Sequence, residues 1–234
     1  MLAPVMPDTV IAGSSASISF AAYSGVRPSG DYWVFLEVDD EFGLTRAMWF
    51  KEKQGAAVHV ATVGTAAVEP TIRKALAIGA DEGIRIDAEP TDGLFVARQL
   101  AEVVKNGGYD LVIAGRESID YNGGMVPGMM AAMLDMNFVN TCISLEVEGN
   151  KATAIREIDG GKETLETTLP LIIGGQKGLV EESDLKIPNM RGIMMARQKK
   201  LTVVPPLEAA EGTLDIRFEK PAPKGPVKLV EPSN

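Results

Sequence analysis

The chain has 234 residues, 45% of them apolar and 24% charged, with a net charge of -9 and one histidine and one cysteine. Such a chain can bury one sizeable core, and its acidic balance excludes nucleic acid or an anionic membrane surface as the main partner, because neutralising phosphates takes clustered Lys and Arg. The longest apolar runs, 111–115 and 169–174, fall far short of the roughly 20 residues that cross a bilayer, so no membrane insertion is expected.

The opening residues, Met1-Leu-Ala-Pro, lack a basic and apolar leader pattern, and Cys142 has no second cysteine to pair with. Both observations point to a reducing, cytoplasmic setting. Residues 41–53 then read as a helix with Leu44, Ala47 and Met48 on one face. From about 55 to 135 short β-branched runs alternate with helical patterns, the mark of βαβ units and a parallel sheet. Residues 58–63 form a buried strand that ends at Gly64. The next helix begins near Glu69, carries Pro70 in its first turn and Ile72, Ala75 and Leu76 on one face, and has Gly79 in C-cap position.

A second unit follows, with strand 83–87 and a helix whose face is Leu94, Ala97, Leu100, Ala101 and Val104, closed by Asn106-Gly-Gly108. The third unit has strand 110–115, a polar loop over 116–122, and a helix opened by Gly123-Gly-Met-Val-Pro-Gly128 that runs through Leu134. Four helices can thus flank the sheet. Past 137 the pattern becomes antiparallel: 143–148, 152–158 and 164–169 alternate apolar with polar residues, separated by turns at Gly149-Asn150 and Asp159-Gly-Gly161. The apolar run 171–174 can rejoin the central sheet.

Residues 176–189 have no periodicity, and a loop of that length in a compact domain implies a task. A short helix over 190–199 carries the basic cluster from Arg191 to Lys200, which is either a solvated face or a docking element for an acidic partner. Residues 205–234 hold Pro205, Pro206, Pro221, Pro223, Pro226 and Pro232 with one strand-like stretch at 214–218, and read as an extended arm that wraps another surface. The expected organisation is one α/β domain over 1–204, including the hairpins and the loop at about 176–192, followed by the arm over 205–234.

The chemistry is sparse. His59 sits within a strand pattern and reads as a core or sheet-face residue, and one His with one Cys cannot build a metal cluster, so no catalytic or metal site is expected. Neither Gly-x-x-x-x-Gly-Lys-Ser/Thr nor Gly-x-Gly-x-x-Gly occurs. What remains is the strand-to-helix turn through Ser118, Ile119, Asp120, Tyr121, Asn122, Gly123, Gly124, Met125 and Val126. Free amides and the positive end of a helix dipole favour an anion such as a phosphate there, and a glycine pair lets a ligand approach the main chain. Taken alone, the glycines are equally explained by chain geometry. In a doubly wound sheet, however, ligands gather at the carboxyl ends of strands where the strand order reverses. Val63 and Gly64 mark a second such strand end, and the two together make a nucleotide site plausible.

Five stretches carry a resemblance: Asp40-Glu-Phe-Gly-Leu-Thr-Arg46, Thr71-Ile-Arg-Lys-Ala-Leu-Ala-Ile-Gly-Ala-Asp81, Gly115-Arg-Glu-Ser-Ile-Asp120, Arg156-Glu-Ile-Asp-Gly-Gly161, and Ile187-Pro-Asn-Met190 followed by Ala196-Arg-Gln-Lys-Lys200. In this order and spacing the chain resembles the electron-transfer flavoprotein beta subunit from about Asp40 to Lys228. The resemblance implies a doubly wound, mainly parallel sheet of the adenine-nucleotide-binding, Rossmann-like kind, in a heterodimer with a larger alpha subunit whose FAD site this chain completes. It implies AMP, or a second FAD in electron-bifurcating relatives, at Gly115, Arg116, Glu117 and on through Val126. It also implies a recognition loop over 183–192, in which Ile187 is the apolar anchor for an acyl-CoA dehydrogenase-type donor, beside Pro188, Asn189, Met190 and Arg191. A quinone reductase or another acceptor would then take the electrons.

Two regions depart from the family pattern. Asp120 keeps its place, but Tyr121-Asn-Gly-Gly-Met125 differs from the Asn-Gln-Thr and Gly-Gln-Val forms, and the first forty residues lack the usual opening strand sequence. A stand-alone adenine-nucleotide sensor of the universal-stress type is the alternative, though its late Gly-x-x-Gly phosphate loop is missing. A nicotinamide-dependent oxidoreductase lacks its dinucleotide fingerprint.

Overall fold

The computed structural model describes residues 15–19, 38–117, 123–208 and 212–213, with side chains from Glu41 onward. Nine strands and five α-helices occupy the described residues. They are β1 (Ser15–Ser19), α1 (Val38–Gln54), β2 (Ala57–Val63), α2 (Glu69–Ile78), β3 (Glu82–Ile86), α3 (Gly93–Gly107), β4 (Leu111–Gly115) and α4 (Val126–Leu134), then β5 (Asn137–Glu148), β6 (Lys151–Ile158), β7 (Gly161–Thr168), β8 (Leu171–Gly175), α5 (Met190–Ala196) and β9 (Leu201–Val204).

One sheet joins all nine strands in the order β7-β6-β5-β8-β4-β1-β2-β3-β9. Every pairing from β8 through β9 is parallel, and β5, β6 and β7 add the expected antiparallel hairpins at the other edge. The central strands are near-continuous apolar runs, as strands covered on both faces must be: Leu111, Val112, Ile113, Leu171, Ile172 and Ile173 are all buried.

Helices cover both faces. On one, α1 and α2 bury Phe42, Leu44, Ala47, Met48, Ile72, Ala75 and Leu76 against Val58, Val60, Leu111, Ile113, Leu171 and Ile173. On the other, α3 and α4 bury Phe95, Val96, Leu100, Val104, Val126 and Met130 against Ala61, Val63, Ile84, Ile86, Val112 and Ile172. The apolar spacing read from the sequence thus becomes the buried stripe of each helix. Helix α3 starts where the Asp92 carboxylate accepts the Phe95 amide at 2.7 Å and stops at Gly108 in the left-handed conformation.

The order reverses between β1 and β4. From β1 the chain steps to β2 and β3, then α3 carries it back across the opposite face to β4 on the other side of β1. Helix α1 and helix α4, which follow these two neighbouring strands, therefore lie on opposite faces, and a crevice opens at the carboxyl ends of β1 and β4.

Some features differ from expectation. Strand β5 begins at Asn137, not near 143: Asn137–Val139 pair in parallel with β8, and after a register shift Cys142–Glu148 pair antiparallel with β6. Between them Asn140 and Thr141 bulge, with Thr141 at φ +51°. The helix expected over 190–199 ends at Ala196, because Leu201–Val204 form the edge strand β9 against β3, which the sequence reading did not include. Strand β1 takes the central position in the departing first forty residues. The strand-like stretch at 214–218 lies outside the described residues.

Candidate functional site

Strand β4 delivers Gly115, Arg116 and Glu117 to the crevice, and β2 delivers Val63 and Gly64 two strands away, on the far side of β1. The ladder continues one step past β4, where the Arg116 amide donates to Gly175 O at 2.9 Å. The Arg116 guanidinium is held by Gln176 Oε1 at 3.0 Å and by the Glu117 carboxylate, and Gln176 in turn donates to Glu157 of the hairpin. This network fixes a partly exposed cation and a carboxylate at the carboxyl end of the central strand. Ser118, Ile119, Asp120, Tyr121 and Asn122 lie outside the described residues; Gly123, Gly124 and Met125 resume the chain directly before α4.

The two predicted glycine turns differ in kind. A Cβ on Gly64 would lie 2.7 Å from both Val68 methyls, and its amide and carbonyl are engaged with Ile86 O at 3.0 Å and the Arg85 guanidinium at 2.9 Å. Gly64 is therefore required by internal packing. A Cβ on Gly124 would meet only Arg116 O at 3.4 Å and Glu117 Cβ at 3.8 Å, ordinary contacts. Nothing inside the described protein forces a glycine at 124, which is what a surface left open for a ligand requires.

The helix ends at this edge of the sheet separate in the same way. Helix α3 is capped by Asp92, and α2 begins with Glu69, whose carboxylate lies 3.3 Å from Arg85 Nε. Helix α4 has neither a capping side chain at Met125 nor an acid in its first turn. Uncapped among the described residues, its positive end at the crevice suits an anionic group such as a phosphate, so these residues fit the nucleotide that the sequence suggests.

His59 lies outside this crevice, in the first half of β2. Its Nδ1 is 2.8 Å from the Tyr109 hydroxyl, and burial lowers its pKa despite nearby Glu82 and Asp81. Among the described residues no three His, Cys, Asp or Glu side chains group to hold a metal ion, and no helix is long and apolar enough to cross a membrane.

The second region brought together is the segment leading into α5. Ile187 is 80% exposed, the most exposed large apolar side chain among the described residues. Asn189 turns out to be a structural cap as well as a loop residue: its Oδ1 accepts the Gly192 amide at 2.8 Å and starts α5, so the last residues of the expected loop, Met190 and Arg191, are already helical. Helix α5 is fastened to α2, with Arg73 donating to Ala196 O and Lys199 O at 2.7 Å each and Lys199 to Leu76 O at 2.9 Å. A groove of about 520 Å³ runs between the two helices, lined by Pro70, Ala77, Pro188, Ile193 and Ala196 with Arg73, Lys74 and Arg197 at its rim. Arg73 and Lys199 spend their donors on neutral carbonyls, whereas Lys74 at the groove is paired with Glu41.

Sequence reasoning missed two residues that shape these regions. Arg85, buried in β3, braces the Gly64 turn, Glu69 and Asp87 together. Gly192 lets α5 lie on α2, and its only sequence signal was a glycine inside a helical pattern.

A family model described as the electron transfer flavoprotein domain matches residues 36–209. The electron transfer flavoprotein subunit beta of Bacillus subtilis (strain 168) is 33% identical over 211 residues, which cover 88% of this chain and 77% of that protein. The protein of the same name from Syntrophomonas wolfei is 33% identical over 188 residues, covering 79% and 73%. The one from Homo sapiens is 36% identical over 172 residues, covering 71% and 66%.

Proposed function

Because this chain belongs to the electron transfer flavoprotein family, as a beta subunit, we propose that it pairs with an alpha subunit and carries electrons from an acyl-CoA dehydrogenase-type donor to a quinone reductase or similar acceptor. The observation that carries the docking part is Ile187, an 80% exposed aliphatic side chain directly before Pro188 and the Asn189 cap of α5. An exposed anchor with a cationic surround suits a transient interface, in which a few apolar residues supply affinity and charge speeds encounter.

AMP is the proposed ligand of the crevice, with a second FAD as the bifurcating variant. Support comes from the open end of α4, from the space at Gly124, and from the strand reversal between β1 and β4. Val63, Gly64, Gly115, Arg116, Glu117 and Gly123 through Val126 would border the nucleotide, together with residues 118–122. The flavin, when bound against the alpha subunit, supplies the redox chemistry. This chain's residues bind the nucleotide, complete the flavin pocket and orient the docking face; because Leu207, Gly212 and Thr213 bond this chain's own α3, the arm over the partner subunit expected from residue 205 is assigned to the residues past Thr213.

The test is co-expression with an alpha subunit, followed by release and chromatography of the bound nucleotides. One FAD and one AMP per heterodimer is expected, and two FAD would assign the crevice to a flavin. Bound ATP without complex formation would overturn the reading in favour of a nucleotide sensor. In the same complex, Ile187→Ala should lower kcat/KM with an acyl-CoA dehydrogenase about tenfold, as loss of a buried anchor does, with flavin content unchanged. An unaltered rate would remove Ile187 from the docking site.

A further inference from the structure

The chain has eleven methionines and one cysteine. Cys142 is fully buried in β5, and burial pushes its thiol up to about 11, which keeps it protonated and slow towards oxidants. The methionines divide by location. Met48 of α1 and Met130 of α4 are core residues at 3% and 0% exposure. Met190, Met194 and Met195 stand at 76%, 68% and 50%, all within the single short helix α5. Met190 and Met194 are one helical turn apart and share a face, next to Ile187 and the exposed Ile193.

A thioether on such a face is flexible, polarizable apolar surface that moulds to a partner, whereas a sulfoxide is a strong dipole that retains water. Met190 and Met194, well suited to adaptable docking, are thus also the most exposed methionines among the described residues. We propose that Met190, Met194 and Met195 form an oxidation-sensitive docking face, on which a peroxide converts the thioethers to sulfoxides and uncouples the chain from its redox partner. The inference rests on the docking role of this segment.

In each event the sulfur lone pair attacks one peroxide oxygen, an S–O bond forms, the O–O bond breaks, and the second oxygen leaves as water. Sulfur loses two electrons and the peroxide gains them. The change is reversible, since methionine sulfoxide reductases return the thioether at the expense of a thiol reductant. Met133 is also exposed, but it belongs to α4 on the opposite face of the sheet, outside the residues assigned to the nucleotide, and serves as an internal control.

The purified heterodimer, treated with hydrogen peroxide and mapped by peptide mass spectrometry, should gain sulfoxide at Met190 and Met194 about tenfold faster than at Met48 and Met130. Over the same period kcat/KM with an acyl-CoA dehydrogenase should fall about fivefold or more, flavin absorbance should hold, and sulfoxide reductase should restore the rate. In the triple variant M190L/M194L/M195L the ratio of treated to untreated rate should return to one, because Met133 still oxidises there without consequence. A fully oxidised α5 face with an unchanged rate, in a protein that Ile187→Ala impairs, would overturn the inference while sparing the docking reading. If Ile187→Ala and oxidation are both silent, the docking reading fails first and the inference with it.

Discussion

Asp92 and Thr213 are joined twice: one carboxylate oxygen accepts the Thr213 amide at 2.8 Å and its hydroxyl at 3.2 Å, and takes the Gly212 amide at 2.6 Å as well. The other oxygen caps α3 through the Phe95 amide. A turn further along α3, Gln99 makes a reciprocal pair with Leu207, donating to its carbonyl at 3.0 Å and accepting its amide at 2.8 Å. The segment beyond β9 is thereby latched along α3 before it continues towards residue 214.

Asp92→Ala should destabilise the chain by about 1 kcal/mol for the lost cap alone, and more if the latch contributes. The latch should also be acid-sensitive. Burial, the largest influence on Asp92, pushes its pKa up, but the hydrogen bonds from Phe95, Gly212 and Thr213 together outweigh it and hold the pKa below the ordinary carboxylate value. A depressed folded-state pKa means stability that is fully present above the unfolded-state value and is lost as pH falls through the folded one. Urea titrations between neutral pH and acid should therefore show a loss in wild type that is smaller in Asp92→Asn; equal pH dependence of the two would show that Asp92 does not carry it.

Thr62 makes the opposite prediction. It is 1% exposed near the carboxyl end of β2, and its hydroxyl has no hydrogen-bond partner among the described residues. A buried hydroxyl left unpaired is a cost, and valine has nearly the same shape with a higher strand preference. Thr62→Val should raise stability, by up to about 1 kcal/mol in chemical denaturation. A loss of that size instead would reveal a partner for the hydroxyl.

What the sequence made legible was local. The strand ending at Gly64, the Pro70 helix start, the Gly79 and Gly108 ends and the two hairpin turns each follow from residues a few positions apart, and all stand where they were expected. The misses are long-range. Leu201–Val204 is a β-branched run beside a basic cluster, and only its register with Gly83–Ile86, more than a hundred residues earlier, makes it a strand. The Asp92 cap of α3 was not read from the sequence, and nothing near it announces Gly212 and Thr213. The strand ends at Gly64 and Gly115 were legible in the βαβ pattern; Ile187 was singled out in the sequence, yet the fastening of α5 to α2 through backbone carbonyls leaves no pattern there.

The two glycine turns should respond differently to one added methyl group. Gly64→Ala drives Cβ into Val68 and should cost about 1–3 kcal/mol, as overpacking does. Gly124→Ala meets only ordinary contacts, so its stability without ligand should match wild type. If the main chain at 124 lies against a nucleotide, the same methyl group intrudes on the ligand, and AMP co-purified with the heterodimer should fall severalfold. Full retention of AMP by Gly124→Ala would move the ligand off this turn.

Gly192 tests whether the docking face depends on where α5 sits. A Cβ at this position would lie 2.2 Å from Ala77 O and 3.2 Å from Ala77 C, so the obstacle is the backbone of α2 and no side-chain rotation relieves it. Four bonds oppose a shift of α5: the two from Arg73 to Ala196 O and Lys199 O, and the two from Lys199 to Leu76 O and Ala80 O. Gly192→Ala must strain or break some of them, at about 1–3 kcal/mol in urea unfolding. The crevice lies at the carboxyl ends of the central strands, and α4 packs on the opposite face, so nucleotide content should not change. Electron transfer should change, because displacing α5 moves its Asn189 cap and with it Pro188 and Ile187. We expect kcat/KM with an acyl-CoA dehydrogenase to fall at least as far as in Ile187→Ala, about tenfold. If Gly192→Ala is destabilised yet transfers electrons at the wild-type rate, the anchor works independently of the helix behind it, and docking must be ascribed to the exposed side chains alone.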